Sequence, residues 1–75
     1  MTLDFQVRGE YITLDALLKA VGFADSGAMA KELVREGMVR VDGEVETRRG
    51  RKLRGGEIVE FDGREIRVRG GDKAA

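Results

Sequence analysis

The chain has 75 residues, no Cys and no His, and its 14 Lys and Arg residues balance 14 Asp and Glu residues. This composition excludes disulfides, cysteine or histidine catalysis and the usual zinc sites, and the length allows one domain with a modest core. No apolar run approaches the roughly 20 residues of a membrane span, and residues 1–11 lack the apolar segment of a signal peptide, so we expect a cytoplasmic protein.

The N-terminal third of the chain predicts a short strand and a short helix. Apolar and polar side chains alternate over residues 3–8, which is typical of a half-buried strand. Thr13 is a typical helix N-cap residue, and leucines at helical spacing follow it. We predict a first helix over residues 14–21 that ends at Gly22, because glycine readily adopts the left-handed conformation that follows a helix.

A second helix is predicted from Asp25 or Ser26 to Glu36, with Gly37 ending it. Its apolar face comprises Met29, Ala30, Leu33 and Val34. Because only a few residues join the two helices, we expect them to pack as a compact pair. The hydroxyl of Ser26 is expected to cap the second helix, while the free N–H groups there could also receive a phosphate, and both interpretations stay open.

A cationic stripe lies on another side of this second helix. Lys31 and Arg35 are four residues apart, and Gly27 lies one turn before Lys31. Like charges at this spacing destabilise a helix by a few tenths of a kcal/mol, so an anionic partner would explain them. The alternative is ordinary surface patterning in which Glu32 and Glu36 compensate the two cations.

Two Asp-Gly pairs, at 42–43 and 62–63, predict β-hairpins, because both central residues of a type I′ turn need a positive φ. The strands lie within 3–8, 39–47 and 57–69. We predict a small α+β domain in which two short helices pack on a twisted, mostly antiparallel sheet. Its core is predicted to contain Leu17, Leu18, Val21, Phe23, Ala30, Leu33, Val34, Val39, Val41, Ile58 and Phe61.

The segment that links the two hairpins, residues 48–56, is strongly basic. It carries five cations with no acid between them, namely Arg48, Arg49, Arg51, Lys52 and Arg54. Arginine presents a planar fork that grips two phosphate oxygens, and a local basic segment on a neutral chain indicates an anion-binding surface. Arg40 is near enough in sequence to join it. The alternative is a solvated loop whose cations pair with Glu44 and Glu46.

The stretch from Ile12 to Phe61 resembles the alpha-L RNA-binding motif, the domain of bacterial small-subunit ribosomal protein four. The resemblance follows the family's order of helix, small polar turn, second helix, hairpin and glycine-led strand, in the segments LDALLKAVG, ADSG, AMAKELVREG, GMVRVDGEVET and GGEIVEF. Asp42 and Glu57 stand where the family usually has Asn and Asp. Many members carry Arg directly after the Ser of the second helix, and here that position is Gly27.

The resemblance implies the alpha-L fold and binding of structured RNA, either ribosomal or tRNA-like, without catalysis, as in a small stand-alone bacterial subgroup. We expect one domain over residues 1–69, with the motif at 12–61 and a flexible tail at 70–75. The expected RNA-binding residues, on the second helix and the basic segment, are Ser26, Gly27, Lys31, Arg35, Arg40, Arg48, Arg49, Arg51, Lys52 and Arg54.

We expect RNA as the partner of a monomeric chain, with no cofactor, metal, small-molecule substrate or membrane partner. Phe5, Phe23 and Phe61 occupy core-like positions. For Tyr11 the sequence does not decide between a place in the core and stacking on a base. With so few aromatic residues, recognition through RNA shape and phosphate position is favoured over stacking. The alternative function is a protein-interaction adaptor that uses the same basic face or an exposed strand edge.

Overall fold

The structure is a computed structural model that describes residues 2–70. Two helices and seven strands follow in the order β1 (Thr2–Gln6), β2 (Ile12–Thr13), α1 (Leu14–Ala20), α2 (Gly27–Arg35), β3 (Val39–Val41), β4 (Glu44–Val45), β5 (Lys52–Leu53), β6 (Ile58–Phe61) and β7 (Arg64–Arg69). Among these residues, no helix is both long and apolar enough to span a bilayer. Of the predicted tail, only Gly70 belongs to the described residues.

The sheet confirms the predicted α+β architecture. Five strands pair in the order β1-β7-β6-β3-β4, and β2 and β5 form a separate two-stranded ladder. Every pairing is antiparallel except that of β1 with β7. The first and last strands of the described chain therefore lie side by side at one edge of the sheet.

Both Asp-Gly turns have the predicted geometry. Asp42 and Asp62 each have a φ of 54°. The glycine that follows each of them also has a positive φ, 86° for Gly43 and 76° for Gly63. Positive φ at both central residues defines the type I′ turn, whose twist matches that of the flanking strands. The Asp42 carboxylate also accepts the N–H of Ile58 at 3.0 Å, which ties this turn to β6.

The helices match the prediction apart from small differences at their ends. Ser26 caps α2 as expected, because its Oγ accepts the Met29 N–H at 3.2 Å. Helix α1 ends at Ala20, one residue earlier than predicted. The Thr13 hydroxyl makes no capping bond and instead donates to the Asp15 carboxylate at 2.7 Å.

The core lies between the two helices and one face of the sheet. Its buried members are Val7, Leu14, Leu17, Leu18, Phe23, Ala24, Ala30, Val34, Val39, Val41, Leu53, Val59, Ile66 and Val68. The core prediction was wrong for Ile58, which is 37% exposed, and Met29 of the predicted apolar helix face is 42% exposed. In β6 it is Val59 that faces the core, because Ile58 lies opposite Arg67 on the outer face of the sheet.

Gly55 lies against the end of β7 so closely that it has no room for a side chain. Its φ is +135°, and a Cβ there would lie 2.5 Å from the Gly70 Cα and 2.6 Å from the Gly70 nitrogen. The Glu57 carboxylate holds this turn by accepting the N–H groups of Arg54 and Gly55, at 3.1 and 2.8 Å. Backbone-to-backbone packing therefore fixes where the basic segment ends.

We predict that Gly55→Ala lowers the free energy of unfolding by about 2–3 kcal/mol, because it adds both an unfavourable φ and a backbone clash. Gly56→Ala is the matched control, since Gly56 also has a positive φ (+96°) but a Cβ there would meet no atom within 4 Å. Urea unfolding measures the loss in the free energy of unfolding for each variant. Equal losses in the two variants would contradict the packing explanation.

Candidate nucleic-acid interface

The basic segment is attached to the start of helix α1 by its backbone. The Leu14 and Asp15 N–H groups donate to the carbonyl oxygens of Arg51 and Arg49, at 2.9 and 3.0 Å. The first N–H groups of a helix have no partner within the helix, so these carbonyls satisfy donors that would otherwise need water or a side chain. The position of the segment is thus coupled to the position of the helix.

A short strand inside the basic segment fixes it a second time. Within the predicted loop 48–56, β5 pairs with β2, so that Ile12 lies opposite Leu53 and Thr13 opposite Lys52. Leu53 is completely buried. This strand was not predicted because two residues are too few for a visible alternation, although Leu53 is the one apolar residue in a run of cations and glycines.

Glu46 is the buried acid around which the beginning of the basic segment folds. It is only 7% exposed. Its Oε2 accepts the backbone N–H and the Nε of Arg48, both at 3.0 Å, and its Oε1 accepts the Arg51 Nη1 at 3.1 Å. The alternative in which loop cations pair with acids of the hairpin is therefore confirmed for Arg48 and Arg51.

This cluster keeps Glu46 ionised. The hydrogen bond from the Arg48 side chain is the largest cause that lowers the pKa of Glu46 to about 2, with further contributions from the Arg48 backbone N–H and from Arg51. Burial acts in the opposite direction and is outweighed. Arg48 and Arg51 were predicted to contact RNA in the same way as the other loop cations, whereas the Glu46 carboxylate offsets one of their two positive charges.

The other cations of the basic segment are differently placed. Within residues 2–70, Arg49, Lys52 and Arg54 have no carboxylate partner for their side chains, and all three are exposed. Lys52 and Arg54 lie over the ring of Tyr11, with Nζ 5.1 Å and Cζ 5.6 Å from the ring centroid. Tyr11 is thus part of this surface. The sequence alone did not decide between this position and a position in the core.

The predicted site residues of helix α2 are exposed, but they are not equivalent. Lys31 has no carboxylate partner among the described residues, whereas Arg35 contacts both carboxylate oxygens of Glu32 at 3.1 and 2.9 Å. Exposed pairs of this kind contribute at most about 1 kcal/mol, so the Arg35 guanidinium can exchange partners. A side chain at Gly27 would meet no atom within 4 Å.

Contacts within the β3–β4 hairpin link the residues that follow α2 to those that precede the basic segment. The Glu46 N–H donates to the Val39 carbonyl at 3.0 Å, and a Cβ on Gly37 would lie 3.7 Å from a Val45 methyl. Arg40 is separate from this junction. Its cross-strand partners are Val45 and Glu60 on the outer face of the sheet, because it points away from the buried residues on either side of it in β3.

Comparisons with known proteins agree with this fold. Residues 5–69 match the S4 domain family. The "Putative RNA-binding protein YbcJ" of Escherichia coli (strain K12) is 45% identical over 58 residues, which cover 77% of this chain and 83% of YbcJ. The "Probable ribosome maturation protein RlbA" of Bacillus subtilis (strain 168) is 46% identical over 63 residues, which cover 84% of this chain and 89% of RlbA.

A solved structure is similar over nearly the same range. The solution structure of YbcJ from E. coli, described as revealing an ALFAL motif involved in RNA-binding, superposes with a TM-score of 0.62 at 40% identity. The match covers 91% of this chain and 85% of the YbcJ chain. The predicted resemblance to the alpha-L motif is thereby confirmed in both sequence and fold.

We predict that Glu46→Gln lowers the free energy of unfolding at neutral pH by about 1–3 kcal/mol, because hydrogen bonds to a charged group are lost. The variant should also change the acid dependence of stability. The ordinary pKa of 4.5 applies to unfolded Glu46, whereas the folded pKa is about 2. The unfolded chain therefore binds this proton first, and the Glu46 contribution, complete above about pH 4.5, is lost as pH falls toward 2.

Urea midpoints measured across this pH range should decline more steeply for the wild type than for Glu46→Gln. Glu44→Gln is the matched control, since Glu44 lies in the same hairpin but is exposed. Parallel pH curves for the wild type and Glu46→Gln would show that the cluster does not stabilise the fold.

Proposed function

The chain belongs to the S4 domain family, and from this premise we propose that it binds structured RNA without catalysing a reaction. The observation that carries the proposal is the set of exposed cations on a segment that the fold holds in place, namely Arg49, Lys52 and Arg54. Cations on an anchored segment lose less conformational freedom when they meet phosphates than cations on a mobile loop do.

We include helix α2 in the proposed RNA-binding surface. Lys31 supplies a cation without a carboxylate partner among the described residues, and Arg35 can exchange Glu32 for a phosphate because that pair is exposed. Ser26 and Gly27 lie at the exposed start of α2, where free backbone N–H groups would meet a phosphate.

The other predicted site residues take lesser roles in this proposal. Arg48 and Arg51 are engaged by Glu46, so we assign them first to shaping the segment and second to contacting RNA. Arg40 stays outside the proposed surface, since it lies on the outer face of the sheet beside Glu60.

The names of the relatives favour a ribosomal target. YbcJ is named as an RNA-binding protein and RlbA as a ribosome maturation protein, and this chain covers more than four-fifths of each. Ribosomal RNA consists largely of A-form stems with loops and bulges, which proteins recognise through phosphate position and through unpaired bases. We therefore propose folded ribosomal RNA as the target class.

Removing exposed cations from the proposed surface should weaken RNA binding and reduce its salt dependence. We predict that the triple variant Lys31→Gln, Arg49→Gln, Lys52→Gln binds a stem-loop RNA about 10–100-fold more weakly near 0.1 M salt. The slope of log K against log salt, about −4 for the wild type if about five cations meet phosphates, should become shallower by about 2–3. Fluorescence anisotropy with labelled RNA measures both quantities.

The matched control removes the same number of charges elsewhere. Lys19→Gln, Arg67→Gln, Arg69→Gln changes exposed residues of α1 and β7 and leaves the net charge equal to that of the test variant. Its affinity should fall by no more than about threefold, because a general electrostatic effect is weak at this salt concentration. If both triple variants lose the same affinity, the proposed surface is wrong.

Gly27 offers a gain-of-function test. We predict that Gly27→Arg, which restores the cation that many family members carry, raises affinity for the same RNA about three- to tenfold. The salt slope should steepen by about 0.7–0.9, as for one added phosphate contact. Gly27 lies in α2 with open space around it, so the side chain causes no clash. Gly27→Gln is the uncharged control, and equal affinities of the two variants would exclude a phosphate at this position.

A further inference from the structure

We propose that Tyr11, together with Lys52 and Arg54, forms a subsite for one unpaired nucleotide of the bound RNA. The base would stack on the Tyr11 ring, and the phosphates on either side of it would meet the two cations. This inference rests on the proposed function and deepens it, because it states which part of an RNA the surface recognises.

Strand pairing places the three side chains together. Ile12 lies opposite Leu53 in the β2–β5 ladder, and Tyr11 and Arg54 each lie one residue beyond that pair. Successive side chains of a strand point to opposite faces. Because Leu53 is completely buried and Ile12 packs against the core, their neighbours in sequence face outward.

The Tyr11 ring is available to a ligand in a way that the other aromatic rings are not. Tyr11 is 40% exposed, whereas Phe23 is 8% exposed, and Phe5 and Phe61 pack against the core. Phe23 and Phe61 also contact each other, with ring centroids 5.6 Å apart. Of the four aromatic residues in the chain, all within the described range, Tyr11 therefore presents the one accessible platform.

The two cations complement this platform. Lys52 Nζ and Arg54 Cζ lie 5.1 and 5.6 Å from the ring centroid, and neither side chain has a carboxylate partner within residues 2–70. Attraction of a cation to the ring is worth about 0.5–1 kcal/mol at exposed sites, enough to bias these long side chains toward Tyr11. Positive charge is thus held over an aromatic ring, and a base that stacks on Tyr11 would displace a cation from that face toward the neighbouring phosphate, in a site that binds a base together with its phosphates.

The chemistry selects an unpaired nucleotide rather than a duplex. In an A-form stem both faces of each base are covered by its neighbours, and the deep, narrow major groove does not admit side chains. A tyrosine ring can stack only on a base whose face is free, as in a loop, in a bulge or at the end of a stem. The subsite would therefore direct the chain to stems that carry such a base.

The experiment compares two RNAs that differ only in their loop bases. One is a stem-loop with an adenosine-rich loop, and the other has the same stem and the same number of phosphates but abasic loop nucleotides. Stacking is worth about 1–3 kcal/mol per base, so we expect about tenfold tighter binding of the adenosine loop by the wild type. Tyr11→Phe should keep this preference, and Tyr11→Leu should abolish it by weakening only the adenosine complex.

A direct readout is available because the chain has one Tyr and no Trp. With isotope labelling of tyrosine alone, the ring protons of Tyr11 give the one labelled aromatic signal. This signal should shift upfield with the adenosine loop through the ring current of a stacked base and stay in place with the abasic loop. This measurement uses the wild-type protein, so it does not depend on the folding of a variant.

The outcomes separate the two proposals. If the wild type binds both RNAs equally and the Tyr11 signal does not shift, the subsite is wrong while RNA binding by the basic surface stands. If the wild type binds neither RNA, both proposals fall. A loop-dependent affinity together with a loop-dependent shift of Tyr11, lost in Tyr11→Leu and kept in Tyr11→Phe, establishes the subsite.

Discussion

The carboxylate of Glu46 is the interaction on which the shape of the proposed surface depends. A nearly buried acid needs compensating donors, and Arg48 and Arg51 supply them from both sides of a tight turn. The same turn brings the carbonyl oxygens of Arg49 and Arg51 to the free N–H groups at the start of α1. One buried charge thus couples the hairpin, the basic segment and the first helix.

This arrangement divides the five cations of the segment into two that contact Glu46 and three that have no carboxylate partner within residues 2–70. Arg48 and Arg51 neutralise Glu46, and the remaining side chains of Arg49, Lys52 and Arg54 stay exposed to solvent. A segment with only exposed cations would repel itself and lose its shape, whereas a fully paired segment would have little attraction for phosphates. The mixture allows an ordered backbone and an uncompensated positive surface in the same few residues.

Three of the cations outside the basic segment and α2 contact acids. On the outer face of the sheet, Arg67 and Arg69 lie 3.5 and 3.6 Å from the Asp4 carboxylate. At the second hairpin turn, Arg64 lies 3.5 Å from the Asp62 carboxylate. The chain has zero formal net charge, so its attraction for a polyanion must come from local geometry.

The sequence by itself determined both helices, the Ser26 cap and the two hairpin turns, because helical spacing, capping residues and Asp-Gly pairs act over a few neighbouring residues. The resemblance to the alpha-L family was also visible there. Tertiary structure alone decided that Val59 rather than Ile58 is buried, that Glu46 engages two cations, and that Tyr11 joins Lys52 and Arg54. The first and third features depend on strand register and on pairing between segments far apart in sequence, which a local pattern does not encode. The Glu46 contacts are close in sequence, but they depend on the conformation of the turn after β4 and on the burial of the carboxylate.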